Sequence, residues 1–203
     1  SEAMMPFFTA EYFNPSSMYE PARRTAAAIM QARQQIAGHL GLDDPKQILF
    51  TSCATESNNT AIFGTAKANP QRRHIITTAV EHPAVIEVLA DLERSGCEVT
   101  FLAVDGHGNL DLGEFVRALR PDTLLVSIMH ANNETGVIFP VAQLARITKE
   151  TDSAIVFHTD ATQSVGKIPI DLAEEYRHVD LLSFSGHKLH APKGIGALYI
   201  KRG

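Results

Sequence analysis

Two short apolar runs late in the sequence each hand over to a polar loop that carries chemistry. The first leads into Phe157-His158-Thr159-Asp160-Ala161-Thr162-Gln163, and the second, 28 residues on, into Ser185-Gly186-His187-Lys188. If both runs are strands of one sheet, a carboxylate and a lysine amine reach one crevice. That pairing suits pyridoxal 5'-phosphate. An amine condenses with the aldehyde, and a buried acid facing the pyridine nitrogen keeps the ring protonated and able to draw electrons.

Three more loops offer polar groups of the right kind. Thr51-Ser52-Cys53-Ala54-Thr55-Glu56-Ser57-Asn58 stands between a strand and a helix start. Unpaired amides and the positive end of the helix dipole make such a place a phosphate cradle. A plain helix cap by Ser52 or Thr55 accounts for the same residues. Cys53 is either a thiol activated by that dipole or a small packing residue. In Val80-Glu81-His82-Pro83 the imidazole of His82 can stack on a planar ring and move a proton near neutral pH, or simply cap the following helix. His130-Ala131-Asn132-Asn133-Glu134-Thr135-Gly136 puts two amides and a carboxylate at a strand end, with an Asx-turn as the alternative. Gln163 lies one helical turn beyond Asp160 and can approach the same ligand from the side.

A lone lysine is usually a solvated surface group, but Lys188 is followed by the constrained run Leu-His-Ala-Pro-Lys-Gly-Ile-Gly and preceded by an apolar strand. His158-x-Asp160 with His187-x-x-His190 could gather nitrogen and oxygen ligands for a metal hydrolase. That reading leaves Lys188, Gln163 and the Thr55 loop without a task, so no metal is expected.

The elements that position these loops alternate along the chain. Residues 19–40 carry Ala, Ile, Met and Leu at helical spacing, and Gly41 marks the stop. Strand-like and helix-like stretches then follow at 47–50, 55–67, 74–78, 83–95, 98–102, 112–120, 123–129 and 141–150. Two further strands occupy 154–157 and 180–184, with an apolar segment at 195–200. The strands are near-continuous Val, Ile and Leu runs, which predicts an α/β fold: a mainly parallel sheet with helices on both faces and right-handed crossovers. In such sheets ligands sit beyond the carboxyl ends of the strands, so the loops at Cys53, Glu81, His130, His158 and Ser185 should share one rim.

The composition is that of an ordinary globular chain: 203 residues, 44% hydrophobic and 20% charged. That length can bury roughly 70% of the unfolded surface in one core. A net charge of −5 with Lys and Arg scattered singly gives no footprint for nucleic acid. No apolar run reaches ~18 residues, and the first residues lack a basic segment followed by an apolar one. Neither a membrane anchor nor a leader is therefore expected, and two isolated cysteines without C-x-x-C spacing fit a reducing, cytoplasmic setting.

The chain resembles the NifS branch of the cysteine desulfurases, pyridoxal-phosphate enzymes of the class V aminotransferase group with the aspartate aminotransferase fold type. The motifs S-C-A-T-E-S-N-N, V-E-H-P-A-V, H-A-N-N-E-T-G, F-H-T-D-A-T-Q-S-V-G-K-I-P-I-D and S-G-H-K-L-H-A-P-K-G-I-G-A-L-Y stand in the family's order and span nearly the whole sequence. The run A-P-K-G-I-G resembles the NifS/IscS group more than the SufS group.

The resemblance implies a three-layer α/β/α large domain over 19–203, incomplete and lacking the small C-terminal domain, with 1–18 as a truncated N-terminal arm. It implies that Lys188 holds the internal aldimine and later takes the substrate Cα proton, with His82 stacking on the ring and helping to move protons. Asp160 would pair with the pyridinium, Gln163 with the phenolic oxygen, and Asn133 would lie near that oxygen and the substrate. Ala54, Thr55, Ser185 and His187 would bind the phosphate. The implied activity removes sulfur from L-cysteine, giving L-alanine and an enzyme persulfide for iron–sulfur cluster assembly, in a homodimer that passes sulfur to a scaffold or acceptor protein. The family's persulfide cysteine and its substrate-carboxylate arginine fall beyond Gly203, and its D-N-x-A-T-T segment precedes residue 1, so the piece alone is expected to be inactive. Where the family reads F-G-N-P-S-S-x-H, this chain has Phe13-Asn14-Pro15-Ser16-Ser17-Met18-Tyr19. Another class V enzyme (an aminotransferase or a selenocysteine lyase) and a catalytically silent scaffold are the alternatives.

Overall fold

The computed structural model describes residues 2–202. Seven strands form one sheet: β1 (Ile48–Thr51), β2 (His74–Thr78), β3 (Glu98–Leu102), β4 (Thr123–Ser127), β5 (Val156–Asp160), β6 (Leu181–Ser185) and β7 (Gly196–Ile200). Their order across the sheet is β1-β7-β6-β5-β4-β2-β3. From β3 to β6 all pairings are parallel, whereas β7 runs antiparallel to both of its neighbours, β6 and β1. The sheet is thus mainly parallel, as expected, with one reversed strand let into it. Two reversals cancel, so β1 points the same way as β6 and its carboxyl end lies on the common rim.

Among the described residues six α-helices complete the fold: α1 (Met5–Thr9), α2 (Glu20–His39), α3 (Ala54–Ala68), α4 (Pro83–Arg94), α5 (Leu112–Ala118) and α6 (Val141–Thr151). Side chains on a strand alternate between the two faces. Ile75 and Leu125 therefore pack with Ile62 of α3 and Val85, Val88, Leu89 and Leu92 of α4. Ile76 and Val126, one residue on, pack with Phe115 of α5, with Val141, Leu144 and Ala145 of α6, with Ala37 of α2 and with Leu40 directly after it. Two apolar clusters on opposite faces of one sheet make three layers. Each buried Leu or Ile contributes about 1.5–3 kcal/mol, and it is this two-sided burial that holds the rim loops in place.

Helix α2 ends where residues 19–40 predict, with Gly41 at φ 75° closing it. The helical turn at α1 is an addition to the sequence reading. Among the described residues no helix is long and apolar enough to cross a membrane.

Candidate active site

The nine residues singled out in the sequence, Ala54, Thr55, His82, Asn133, Asp160, Gln163, Ser185, His187 and Lys188, all line one cavity of about 230 Å³ at the carboxyl ends of the strands. Cys53, Ala84, Met129, Ala131 and Thr162 complete its wall.

Asp160 is the last residue of β5 and is only 6% exposed. Its Oδ1 accepts the amide N–H of Thr162 at 3.0 Å, and its Oδ2 accepts from Asn58 Nδ2 at 2.7 Å. A buried carboxylate needs such donors, because an unpaired one is expensive to desolvate. Asn58, a residue of the S-C-A-T-E-S-N-N motif, lies on the sheet-facing side of α3, one turn in from Ala54 and Thr55. The signal was present in its helical phase, since a polar side chain facing a sheet has to find a partner there.

Lys188 stands on a single helical turn, Gly186–Leu189, directly after β6. That turn is stitched to the start of β7 by Gly186 N–H donating to the Ile195 carbonyl at 2.9 Å. A Cβ on Gly186 would fall 2.8 Å from Ile195 Cγ2, and His190 closes the turn in the left-handed region at φ 61°. Ser185, 1% exposed, shares a hydrogen bond of 2.9 Å with His187 Nδ1.

The loop after β1 meets the loop after β6 across β7. Thr51 and Ser185 both pair with Gly196. A Cβ there would sit 2.7 and 2.8 Å from the C and Cα of Cys53 and 2.9 Å from the Phe184 carbonyl oxygen. Only a residue without a side chain allows the two loops to come this close. Neither Ser52 nor Thr55 caps α3: Cys53 holds the N-cap position and its side chain makes no cap hydrogen bond, while Glu56 Oε2 in the first turn accepts from the Ser52 N–H at 2.6 Å. The backbone N–H of Glu56 lies near enough to the Cys53 thiol to hold its pKa below the ordinary value, with burial opposing. Amides left uncapped at a helix start are the donors an anion needs.

His82 combines both of its sequence readings. It is the N-cap of α4, its Nδ1 accepting from Ala84 N–H at 3.0 Å, and it lines the cavity. A nitrogen that accepts cannot carry the proton, so the neutral ring is protonated at Nε2. Asn133 is exposed at the cavity wall, while Asn132 turns inward: its Oδ1 accepts from the amides of Glu134 and Thr135 at 3.0 and 2.9 Å, the Asx-type turn weighed above.

His158 takes no part in the cavity. Its Nδ1 and Nε2 meet Ser127 Oγ at 2.8 Å and Ser183 Oγ at 3.0 Å across neighbouring strands, and full burial pulls its pKa down to about 4. Among the described residues no group of three or more His, Cys, Asp or Glu side chains converges as a metal site. Glu81 is buried too, and burial, opposed by hydrogen bonds from Met129 and Thr78, lifts its pKa to about 8.

The fold, with an amine, a buried acid and anion-binding amides on one rim, is of the pyridoxal-phosphate transferase type. The chain belongs to the aminotransferase class-V family, whose model matches residues 1–203, and within it to the NifS-type cysteine desulfurases. It is 52% identical over 201 residues to "Cysteine desulfurase 2" of Trichormus variabilis, covering 99% of this chain and 49% of that protein. A solved "NifS-like protein" superposes with a TM-score of 0.95 at 41% identity, covering 100% of this chain and 55% of the other. The structure described as "SspA in complex with cysteine" gives 0.92 at 41% identity, covering 98% and 56%. The chain spans about half the length of the curated relatives it matches.

Proposed function

We propose that this chain is the cofactor-binding part of a cysteine desulfurase that uses pyridoxal 5'-phosphate to take sulfur from L-cysteine, leaving L-alanine. The observation that carries the reading is the convergence of Lys188, Asp160, His82 and the two anion-binding loops on one cavity. The residues fit the cofactor. The buried Asp160 carboxylate keeps both oxygens bonded on the protein side, as a fixed counter-charge for a pyridinium should. Thr162 also lines this wall and has a buried hydroxyl with no partner in the protein.

In this reading Lys188 Nζ would hold the aldehyde carbon, Asp160 the ring nitrogen and Gln163 the phenolic oxygen, with Asn133 beside that oxygen and the substrate. Ser185, His187, Thr55 and the backbone at Ala54 would hold the phosphate. When bound, the cofactor supplies an electron sink that makes the substrate Cα–H acidic. Lys188 would take that proton at Nζ as the general base. His82, with its proton at Nε2 and its ring oriented by the cap to Ala84, is placed to give a proton to the departing alanine. The constrained turn under Lys188 keeps the amine near one position, which lowers the entropic cost of reaching Cα.

The sulfur acceptor is a cysteine thiolate. Cys53 sits at the phosphate end of the cavity, bedded against Gly196. We therefore assign the persulfide to a cysteine outside this chain, on the remainder of a homodimeric, cytoplasmic protein that includes a smaller second domain and delivers sulfur to an iron–sulfur scaffold or other acceptor. The free thiols of Cys53 and Cys97 suit a reducing compartment.

Incubating the full-length protein with cysteine should release alanine and sulfide, and Lys188→Ala should lower the rate by a factor of roughly 10³ or more, the scale of losing a covalent and general-base group. Activity retained in that variant overturns the assignment. A full-length protein that takes up no pyridoxal phosphate is a scaffold instead.

A further inference from the structure

Directly before His82 lies a carboxylic acid for which the reaction above has no task. Glu81 is 7% exposed and stands where three parts of the rim meet. Its Oε1 accepts from Thr78 Oγ1 at 2.9 Å and from the amide N–H of Met129 at 2.8 Å. One oxygen thus fastens the loop that bears His82 to the end of β4, from which Asn133 follows. Asn132 adds a second strap, its Nδ2 donating to the Val80 carbonyl at 3.1 Å. The other oxygen, Oε2, is buried with no partner.

Two donors on Oε1 leave Oε2 as the seat of any proton the acid carries. Ionised, Glu81 would hold an oxygen with a charge and no donor, and Asp160 on β5 already repels a second negative charge there. The other titratable groups around it are His82 on its own loop and Asp105, His107 and Glu134, which line a neighbouring cavity together with Glu81, His82 and Asn133. Two of these three are acids, so the surroundings favour the neutral form.

We propose that Glu81 is a positioning residue for the cofactor site: as a neutral acid it holds His82 and Asn133 on the rim and leaves Asp160 as the single negative charge facing the pyridine. This rests on the cofactor reading above. Deprotonation puts a charge on the donorless Oε2, which draws water into the loop, moves His82 and weakens cofactor binding.

The test measures the affinity of the full-length apoprotein for pyridoxal phosphate between pH 6 and 9, for wild type and for Glu81→Gln, together with apoprotein melting curves. Gln keeps an acceptor for Thr78 and Met129 but cannot ionise. With a folded-state pKa of about 8, roughly a tenth of the acid stays protonated at pH 9, so wild-type affinity should fall about tenfold more than that of the variant between pH 7 and 9. At pH 6 to 7 the two should agree within about threefold, since the strap is intact in both. The folded protein keeps a proton that the unfolded chain releases near pH 4.5. Wild-type stability is therefore lost as pH rises towards 8, by several degrees of melting temperature that the variant does not lose.

Superimposable pH profiles for the two proteins, both binding cofactor, overturn the role of Glu81 alone. A wild-type profile flat from pH 6 to 9 in affinity and melting does so without the variant. Absence of cofactor binding by either protein at any pH overturns the function reading and this role with it.

Discussion

Gly196→Ala is the sharpest test of how the two anion-binding loops are brought together. The added methyl would meet three backbone atoms at 2.7, 2.8 and 2.9 Å, where carbon contacts prefer about 3.5 Å or more. None is the tip of a flexible side chain, so relief requires the Cys53 segment and the Phe184 carbonyl to part by roughly half an ångström. Overpacking of this kind costs about 1–3 kcal/mol, which for a domain of this size lowers the melting temperature by roughly 2–4 °C per kcal/mol. The same displacement pulls the loop after β1 from the loop after β6. Loss of one charge-assisted hydrogen bond to a phosphate, about 1.5–3 kcal/mol, weakens cofactor affinity by roughly 10- to 100-fold. Melting with and without pyridoxal phosphate separates the two effects. Gly38→Ala is the control: a Cβ there meets nothing within 4 Å, and in α2 it should stabilise by about 0.5–1 kcal/mol. A Gly196→Ala protein that melts within about 1 °C of wild type and binds cofactor equally well would refute the packing argument.

Two further outcomes follow from the buried polar groups. Asn58→Ala removes the 2.7 Å donor to Asp160 and should weaken cofactor binding by about 3- to 10-fold, with Asp160→Asn weakening it further; equilibrium titration checks both, and an unaffected Asn58 variant would separate Asn58 from the site. His158, with a folded-state pKa of about 4 against an ordinary 6.5, binds fewer protons folded than unfolded. Its stabilisation is present above pH 6.5 and lost as pH falls towards 4, up to about 3 kcal/mol, so His158→Gln should show a shallower acid slope in urea midpoints; an identical slope would contradict it.

The alternation of elements was legible because two-sided burial writes apolar strands and one-sided burial writes amphipathic helices. The bounds of β2 and β3 match their predicted ranges of 74–78 and 98–102. Strand direction is not written that way. Gly196-Ala197-Leu198-Tyr199 is buried on both faces like the strands of the parallel part of the sheet, so periodicity could not show that β7 is reversed. The spacing could have: between Ser185 and Gly196 there is one turn and no crossover helix, too little chain for a parallel return. At the site, the types of Asp160 and Lys188 pointed to their chemistry unaided, while the tasks of Gln163, Asn133 and Ala54 came only with the family resemblance. Asn58 and Glu81 escaped because their roles are to support other side chains, and a support is recognised only once the thing it holds has a position.

The reversed strand also fixes an order of events. Thr51 and Gly196 are partners although β2 to β6 all lie between them in sequence, and closing so wide a loop is a slow step in folding. During synthesis the βα units from β2 to β6 can collapse as they emerge, with α3 packed on β4 to β6, but the loops after Thr51 and Ser185 stay unjoined until Gly196 leaves the ribosome. Joining of the two rim loops therefore waits until β7 has been made, and a nascent chain halted short of that glycine would have a folded centre without the paired loops that an anion needs.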